Sequence, residues 1–162
     1  MGFQYEGAEA SFELLVRRLS PDYVAPFELV DFVSLVEQRA GNGNAASISS
    51  QVMLKVRVGE EVMHTAADGN GPVNSLDNAL RKALLQFYPS LEAVRLVDYK
   101  VRVVDQGSST GAVVRVLIES TDGRQTWSTV GSSENIIEAS WMALADSMEY
   151  WLAREQVSAG GA

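Results

Sequence analysis

The chain has 162 residues, a formal net charge of −8 and no cysteine. That length fits one compact domain with a hydrophobic core. The lack of cysteine excludes disulfides, cysteine–zinc sites and thiol catalysis, and it is typical of a cytoplasmic protein. With 13 basic residues against 21 acidic ones, the surface lacks the positive excess that nucleic-acid binding requires.

Membrane insertion and catalysis are also disfavoured. The apolar stretches are short and broken by charges, and residues 1–6 lack the basic start and apolar run of a signal peptide. His64 is the only histidine, which excludes a two-histidine metal site within the chain. We therefore expect neither a metal site nor a catalytic residue here. An enzyme that uses His64 with a carboxylate is the least favoured alternative.

A short amphipathic helix is predicted over residues 8–19. Phe12, Leu15 and Leu19 recur at helical spacing, and Pro21 disfavours continuation. Because about three turns of helix are marginally stable alone, this helix should pack against another element.

Two successive groups of three strands and a helix are predicted after it. The first group has strands at 27–37, 49–58 and about 61–67, and a helix from Pro72, capped by Asn70, to about Phe87. The second group has strands at 94–104, 112–120 and 125–130, with a hairpin turn at 121–123. Its helix opens at Gly131 and runs to about Ala153.

The two groups echo each other in sequence. Residues 29–32 (LVDF) recur as 96–99 (LVDY), an offset of 67. At an offset of 60, Leu54, Val56 and Val58 match Val114, Val116 and Ile118, and Gly71, Ala79, Ala83 and Leu84 match Gly131, Ala139, Ala143 and Leu144. The sequence therefore predicts an α+β fold of two βββα units in a pseudo-twofold arrangement, preceded by a short linker helix.

The predicted organisation follows from this repeat. Residues 1–24 form a linker helix segment, residues 25–155 form one domain of two units (25–90 and 91–155), and residues 156–162 form a flexible tail. Both unit helices are predicted to start just after a glycine, Gly71 or Gly131. Backbone N–H groups at such helix starts can hold a carboxylate, although a simply capped helix start is the alternative.

Four segments carry a resemblance to a known family. The segments 69–84 (GNGPVNSLDNALRKAL), 94–103 (VRLVDYKVRV) and 127–147 (WSTVGSSENIIEASWMALADS) resemble the C-terminal regulatory domain of the isopropylmalate/citramalate synthase family. The segment 5–19 (YEGAEASFELLVRRL) is similar to the linker of the citramalate synthase branch.

The resemblance implies a homodimeric regulatory domain joined to a catalytic barrel in the same polypeptide. The barrel would condense acetyl-CoA with pyruvate and would need a divalent metal, whereas this fragment would need no cofactor. The effector would be the end-product amino acid, isoleucine, bound at the dimer interface for feedback inhibition. The alternatives are leucine, as in a 2-isopropylmalate synthase, and a purely structural dimerisation module.

The resemblance also implies an effector pocket. Val73 and Asn74 would face the ligand, close to the glycines Gly69 and Gly71. The apolar part and its surroundings would comprise Leu96, Tyr99, Val103, Thr110 and Val114. The site would be closed after Gly131 by Ser132, Ser133 and Glu134. From spacing alone a core position is favoured for Tyr99 over a pocket wall, and the resemblance favours the pocket. Trp127, Trp141 and Trp151 are predicted to be packing residues.

Overall fold

The computed structural model describes residues 8–39, 47–104 and 112–160. The elements are α1 (Glu9–Arg18), β1 (Glu28–Arg39), β2 (Ser47–Val58), β3 (Glu61–Gly69), α2 (Pro72–Leu84), a 3-10 helix (Pro89–Ala93), β4 (Arg95–Val104), β5 (Val113–Thr121), β6 (Thr126–Ser133) and α3 (Ile136–Gly160). The predicted α+β class, with two βββα groups after a short helix, is confirmed.

The chain divides into two compact units, each with one three-stranded antiparallel sheet and its helix. The first unit is Phe27–Glu92 and contains β1–β3 and α2. The second unit combines the residues up to Pro26 with those from Ala93 onward, and it contains α1, β4–β6 and α3. The strand order is β1-β2-β3 in the first sheet and β4-β5-β6 in the second, so β2 and β5 are the central strands.

The core of the first unit lies between β2 and α2. Val52, Leu54 and Val56 alternate along β2 and are completely buried, as their spacing predicts. The buried residues of α2 recur every three or four positions and include Leu76, Leu80, Ala83 and Leu84. Because each fully buried leucine contributes about 2 kcal/mol, this seam is the main source of the unit's stability.

The second unit repeats this core with larger side chains. Val116 and Ile118 of β5 are buried beneath α3. The predicted α3 stripe is confirmed at its buried members Trp141, Leu144, Met148 and Trp151. Trp127 is buried too, and its indole N–H donates to the backbone oxygen of Ser147 at 3.1 Å. All three tryptophans are therefore packing residues.

The register of the repeat differs from the prediction in two of the three element pairs for which an offset was predicted. Thr65 donates to the backbone oxygen of Ala79 at 2.9 Å, and Thr129 makes the equivalent bond to the backbone oxygen of Ala143 at 2.6 Å. Both the donor and the acceptor of the second bond lie 64 residues after those of the first. The offset of 60 is therefore wrong for α2/α3. It is wrong for β2/β5 as well, because Leu54 pairs with Thr65 and Ile118 pairs with Thr129, which again gives 64. A shift of four residues is close to one helical turn and equals two side-chain repeats of a strand. Apolar positions therefore still match apolar positions after the shift, so the sequence alone does not distinguish 60 from 64.

The offset of 67 between β1 and β4 is correct, and the matched segments each contain a β-bulge. The pairing register shifts between Leu29 and Asp31 in β1, and between Leu96 and Asp98 in β4. The repeated LVD(F/Y) segment is thus a repeated bulge, in which one extra residue turns the strand.

Helix boundaries also differ from the prediction. α2 ends at Leu84 rather than near Phe87, and α3 reaches Gly160, beyond the expected end near Ala153. Gly71 is the N-cap of α2 and no side chain caps it, so the predicted cap Asn70 is wrong. None of the helices in the described ranges is long and apolar enough to cross a membrane.

Candidate functional site

The predicted site residues of the first unit lie where β3 passes into α2. Gly69 ends β3, and Val73 and Asn74 lie in the first turn of α2. A Cβ on Gly69 would come within 2.7 Å of the Asn74 side-chain oxygen and 2.5 Å of the Ser75 nitrogen, so the strand approaches the helix too closely for any other residue. The Asn74 side chain accepts from the N–H of Asn70 at 3.2 Å and so ties the turn to the helix.

In the second unit, five predicted residues share one face of the sheet. Leu96 pairs with Ser120, Tyr99 with Ile118, and Val103 with Val114, which in turn pairs with Ser133 of β6. Directly paired residues point to the same side, and the buried Ile118 shows that this side faces α3. The bulge after Leu96 is what allows Leu96 and Tyr99 to share that face, and sequence alternation alone could not reveal it.

Tyr99 places its hydroxyl against the first turns of α3. The hydroxyl lies 3.3 Å from the Ser140 hydroxyl, which donates to the oxygen of Ile136 at 2.6 Å. Because the Ser140 proton is used there, Tyr99 is the donor in the pair. The equivalent positions of the first unit are Phe32 and Leu76, so the hydroxyl pair is a feature of the second unit alone.

Apolar side chains around this hydroxyl pair are only partly covered. Val103 is 68% exposed, Val101 is 39% exposed, and Ile136 at the start of α3 is 43% exposed. Tyr99 itself is half-buried. An exposed apolar surface beside a hydroxyl and a helix start can take the aliphatic part of a small ligand and offer polar contacts at one end.

The start of α3 differs from the prediction. Gly131 lies inside β6, not at a helix start, and a Cβ there would meet the Ala139 oxygen and lie 2.9 Å from the Ala143 nitrogen. Its role is to let β6 cross α3 closely. The first unit has Ala67 at the equivalent position, so the glycine-before-helix parallel is wrong.

Asn135 caps α3, and the sequence analysis missed it. Its side-chain oxygen accepts from the N–H of Ile137 at 2.8 Å. Ser133 accepts from the N–H of Asn135 at 3.1 Å and donates to Glu138 at 2.6 Å. The signal was present, because an Asn followed three residues later by Glu is a typical capping pattern.

The remaining predicted positions are less informative. Ser132 pairs with Arg115 and is exposed, on the opposite face of the sheet from Tyr99. Glu134 is exposed between β6 and α3. Thr110 lies outside the described residues. His64 is an exposed residue of β3, as expected for an ordinary strand position.

A partly buried polar cluster joins α1 to α3 and β6, and no sequence pattern predicted it. Arg18 donates to Asp146 at 2.7 Å and to Glu149 at 2.6 Å, and the Tyr23 hydroxyl donates to Glu149 at 2.7 Å. The Ser11 hydroxyl accepts from the N–H of Val130 at 3.0 Å, which occupies the open edge of β6.

Burial sets the protonation behaviour of this cluster. Burial raises the pKa of Asp146, and the Arg18 hydrogen bond and charge oppose that rise. Burial also raises the pKa of Tyr23, as do its hydrogen bond to Glu149 and the Glu149 charge. Burial would lower the pKa of Arg18, but its bonds to Glu149 and Asp146 raise it overall. The cluster therefore holds a cation between two carboxylates and fixes α1 in place.

The described side chains contain no group of three His, Asp or Glu residues able to hold a metal ion. The fold and these contacts define a class: a duplicated βββα domain, preceded by a short helix, with a partly exposed apolar sheet face in its second unit. The chain matches the family model of the LeuA allosteric (dimerisation) domain over residues 6–152, and it belongs to that family.

The relatives share the same domain. The chain is 50% identical to the (R)-citramalate synthase of Geobacter sulfurreducens over 155 residues, which are 96% of this chain and 29% of the relative. It is 49% identical to the (R)-citramalate synthase of Aquifex aeolicus over 158 residues, with the same coverage of 96% and 29%. The 2-isopropylmalate synthase of Methanocaldococcus jannaschii is 30% identical over 142 residues, 87% of this chain and 26% of the relative. The chain thus spans under a third of the length of these relatives.

Proposed function

We propose that this chain is the effector-sensing, dimerising part of an (R)-citramalate synthase and that it binds isoleucine. The parent would condense acetyl-CoA with pyruvate in a metal-dependent barrel, and the bound amino acid would inhibit it. The identities of 42–50% to (R)-citramalate synthases, against 30% or less to 2-isopropylmalate synthases, support the citramalate branch. The homodimer is supported by the family's dimerisation domain.

The observation that carries the effector proposal is the shared sheet face of the second unit. Leu96, Tyr99, Val103 and Val114 were assigned to the pocket by resemblance, and their pairing gives them one common side. The exposure of Val103 at 68% is unusual for a valine in a sheet and favours a partner or ligand over it. An aliphatic amino-acid side chain matches this surface in size and chemistry.

The polar end of the ligand would lie towards the start of α3. The Tyr99 hydroxyl accepts as well as donates, so an ammonium group could donate to it. Helix starts favour a carboxylate through their N–H groups and dipole. In α3 Asn135 already satisfies the N–H of Ile137, so fewer N–H groups remain for the ligand than an uncapped helix would offer.

Feedback inhibition requires two states with different effector affinity. The cluster of Arg18, Asp146 and Glu149 gives a physical route, because it fixes the linker helix α1 to α3, at whose start the effector would bind. We propose that the effector changes how α1 is held and thereby slows the barrel. An intact parent enzyme that keeps full activity at saturating isoleucine would contradict this mechanism, even if isoleucine binds.

Thermal unfolding with added amino acids tests the binding proposal. Isoleucine at 100 times its dissociation constant should stabilise the chain by about 2.7 kcal/mol, and leucine and valine should stabilise it less. Val103→Glu should abolish this effect because it puts a charge on the proposed surface. Val97→Glu is the matched control, because Val97 is the extra residue of the same strand's bulge and is 54% exposed.

The stability changes measured with the three amino acids and the two variants distinguish between the alternatives. A larger shift with leucine would favour the leucine-sensing alternative. No shift with any of the three amino acids would favour a purely structural dimerisation module. Equal shifts in the two variants would place the site elsewhere.

A further inference from the structure

The linker helix α1 presents an apolar stripe to solvent. Phe12 is 55%, Leu15 47%, Val16 54% and Leu19 83% exposed. Their spacing of three, one and three residues gives a continuous stripe along one side of the helix. The helical spacing of Phe12, Leu15 and Leu19 predicts a helix that packs against another element, yet all three side chains remain about half exposed or more.

The opposite side of α1 is the one that is buried. Ala10, Ser11 and Leu14 are its buried residues. Arg18 and Ser11 attach this side to α3 and β6 through Glu149 and the Val130 N–H. Turning the stripe inward would break these contacts and strand a buried carboxylate, which is strongly destabilising. The stripe is therefore held facing outward.

The stripe is self-complementary in spacing. When two copies of α1 lie antiparallel about a twofold axis midway between Leu15 and Val16, Leu15 is level with the partner's Val16. Phe12 is then level with the partner's Leu19. A twofold interface uses the same surface on both subunits and requires this kind of match.

The charges beside the stripe fit the same arrangement. Glu13 and Arg17 lie on one flank and form a half-buried ion pair at 2.9 Å. In the antiparallel pair the same flanks meet, and Glu13 comes within one residue of the level of the partner's Arg17. Opposite charges at one level favour this orientation. A parallel pair would instead set like charges at the same level.

We propose that α1 pairs with α1 of a second copy through Leu15, Val16 and Leu19, with Phe12 continuing the contact. Membership of a dimerisation-domain family supports a second copy as the occupant. A stable interface buries at least about 1,000 Å², more than one short helix pair supplies, so the pair extends a larger subunit contact. This assigns the linker helix itself to the subunit interface.

Cysteine cross-linking tests the pairing directly, because the sequence contains no cysteine. Val16→Cys places a thiol beside the proposed axis, where two copies can form a disulfide. Val62→Cys is the matched control, since Val62 is a valine of β3 with a similar exposure of 48%. Under mild oxidation at micromolar concentration, Val16→Cys should become mostly covalent dimer on a non-reducing gel, and Val62→Cys should stay mostly monomeric.

A second variant shows whether the apolar stripe drives the contact. Adding Leu19→Glu to Val16→Cys should reduce the rate of cross-linking at least fivefold while each copy stays folded, because Leu19 is 83% exposed within one copy. If Val16→Cys cross-links no faster than Val62→Cys, the helix pairing is wrong and another part of the polypeptide covers the stripe. If Leu19→Glu leaves the cross-linking rate unchanged in a folded protein, the proposal also fails.

Discussion

The two βββα units keep the same backbone devices but differ in what they do with them. Both contain a bulge in the first strand and a buried threonine that donates to the helix backbone. Only the second unit has the Tyr99–Ser140 hydroxyl pair, a helix of 25 residues and a linker helix attached to it. In the first unit, the helix has 13 residues.

This difference separates the contacts that recur in both units from those that occur in the second unit alone. Bulge and threonine contacts recur because each unit needs them to seat a helix on its sheet. The hydroxyl pair and the Arg18 cluster occur in the second unit alone, so a βββα unit can form without them. The effector binding that we propose is therefore expected to depend on the second unit more than on the first.

The largest expected effect is at Gly131. Gly131→Ala would drive a Cβ against the Ala139 oxygen and should destabilise the chain by about 3 kcal/mol or more, because backbone cannot yield as a flexible side chain does. The equivalent Ala67 shows that the first unit tolerates a Cβ. Urea unfolding measures the change.

Gly71→Ala is the control and should cost below about 1 kcal/mol, since its Cβ meets nothing. Equal costs would contradict the close crossing of β6 and α3.

Arg18→Ala is expected to rank second. It leaves Asp146 and Glu149 without their cation, and it should lower the free energy of unfolding by about 2 kcal/mol, less than for a fully buried pair because Arg18 is 39% exposed. Arg17→Ala breaks a single i,i+4 pair with Glu13, a partner that is 42% exposed and is therefore still hydrated, and it should cost about 0.5 kcal/mol. Urea unfolding of both variants gives the difference. If Arg18→Ala proved as mild as Arg17→Ala, the cluster would not fix α1.

The two threonines test whether the units are equivalent. Thr65→Val and Thr129→Val each remove one buried hydroxyl bond to a helix carbonyl and should each cost about 1 kcal/mol. Because the contacts correspond, the two losses should agree within about 0.5 kcal/mol in denaturant titrations. A much larger loss at one position would show that the two hydrogen bonds correspond in position but differ in their contribution to stability.

The smallest expected effect is a pH dependence at Asp122. Burial would raise the pKa of Asp122, but hydrogen bonds from the Gln125 N–H, the Trp151 indole and the Arg124 N–H lower it to about 2, from 3.8. Its charged form thus favours the folded state above about pH 4, and this stability is lost as pH falls toward 2. Asp122→Asn should flatten the unfolding free energy between pH 4 and 2. An unchanged slope would exclude this carboxylate as the cause.

Element types and most core positions were predictable from apolar periodicity, as β2 and α3 illustrate. Three features were not. The four-residue register error survived because both registers preserve the apolar pattern. The bulge at Val97 was invisible because it changes which side residues face and not their composition. The apolar stripe of α1 could be recognised in the sequence, but the direction in which it faces could not. That direction is set by contacts of Ser11 and Arg18 with residues more than a hundred positions away in the sequence.

Titration calorimetry of the unmodified chain with isoleucine tests the central claim most directly. The account predicts a saturable binding heat, weaker with leucine and absent in Val103→Glu, with Val97→Glu behaving as the unmodified chain. Absence of binding heat with isoleucine, leucine and valine, for protein that is folded and at a concentration where it is dimeric, would contradict the proposal that this domain senses a branched-chain amino acid.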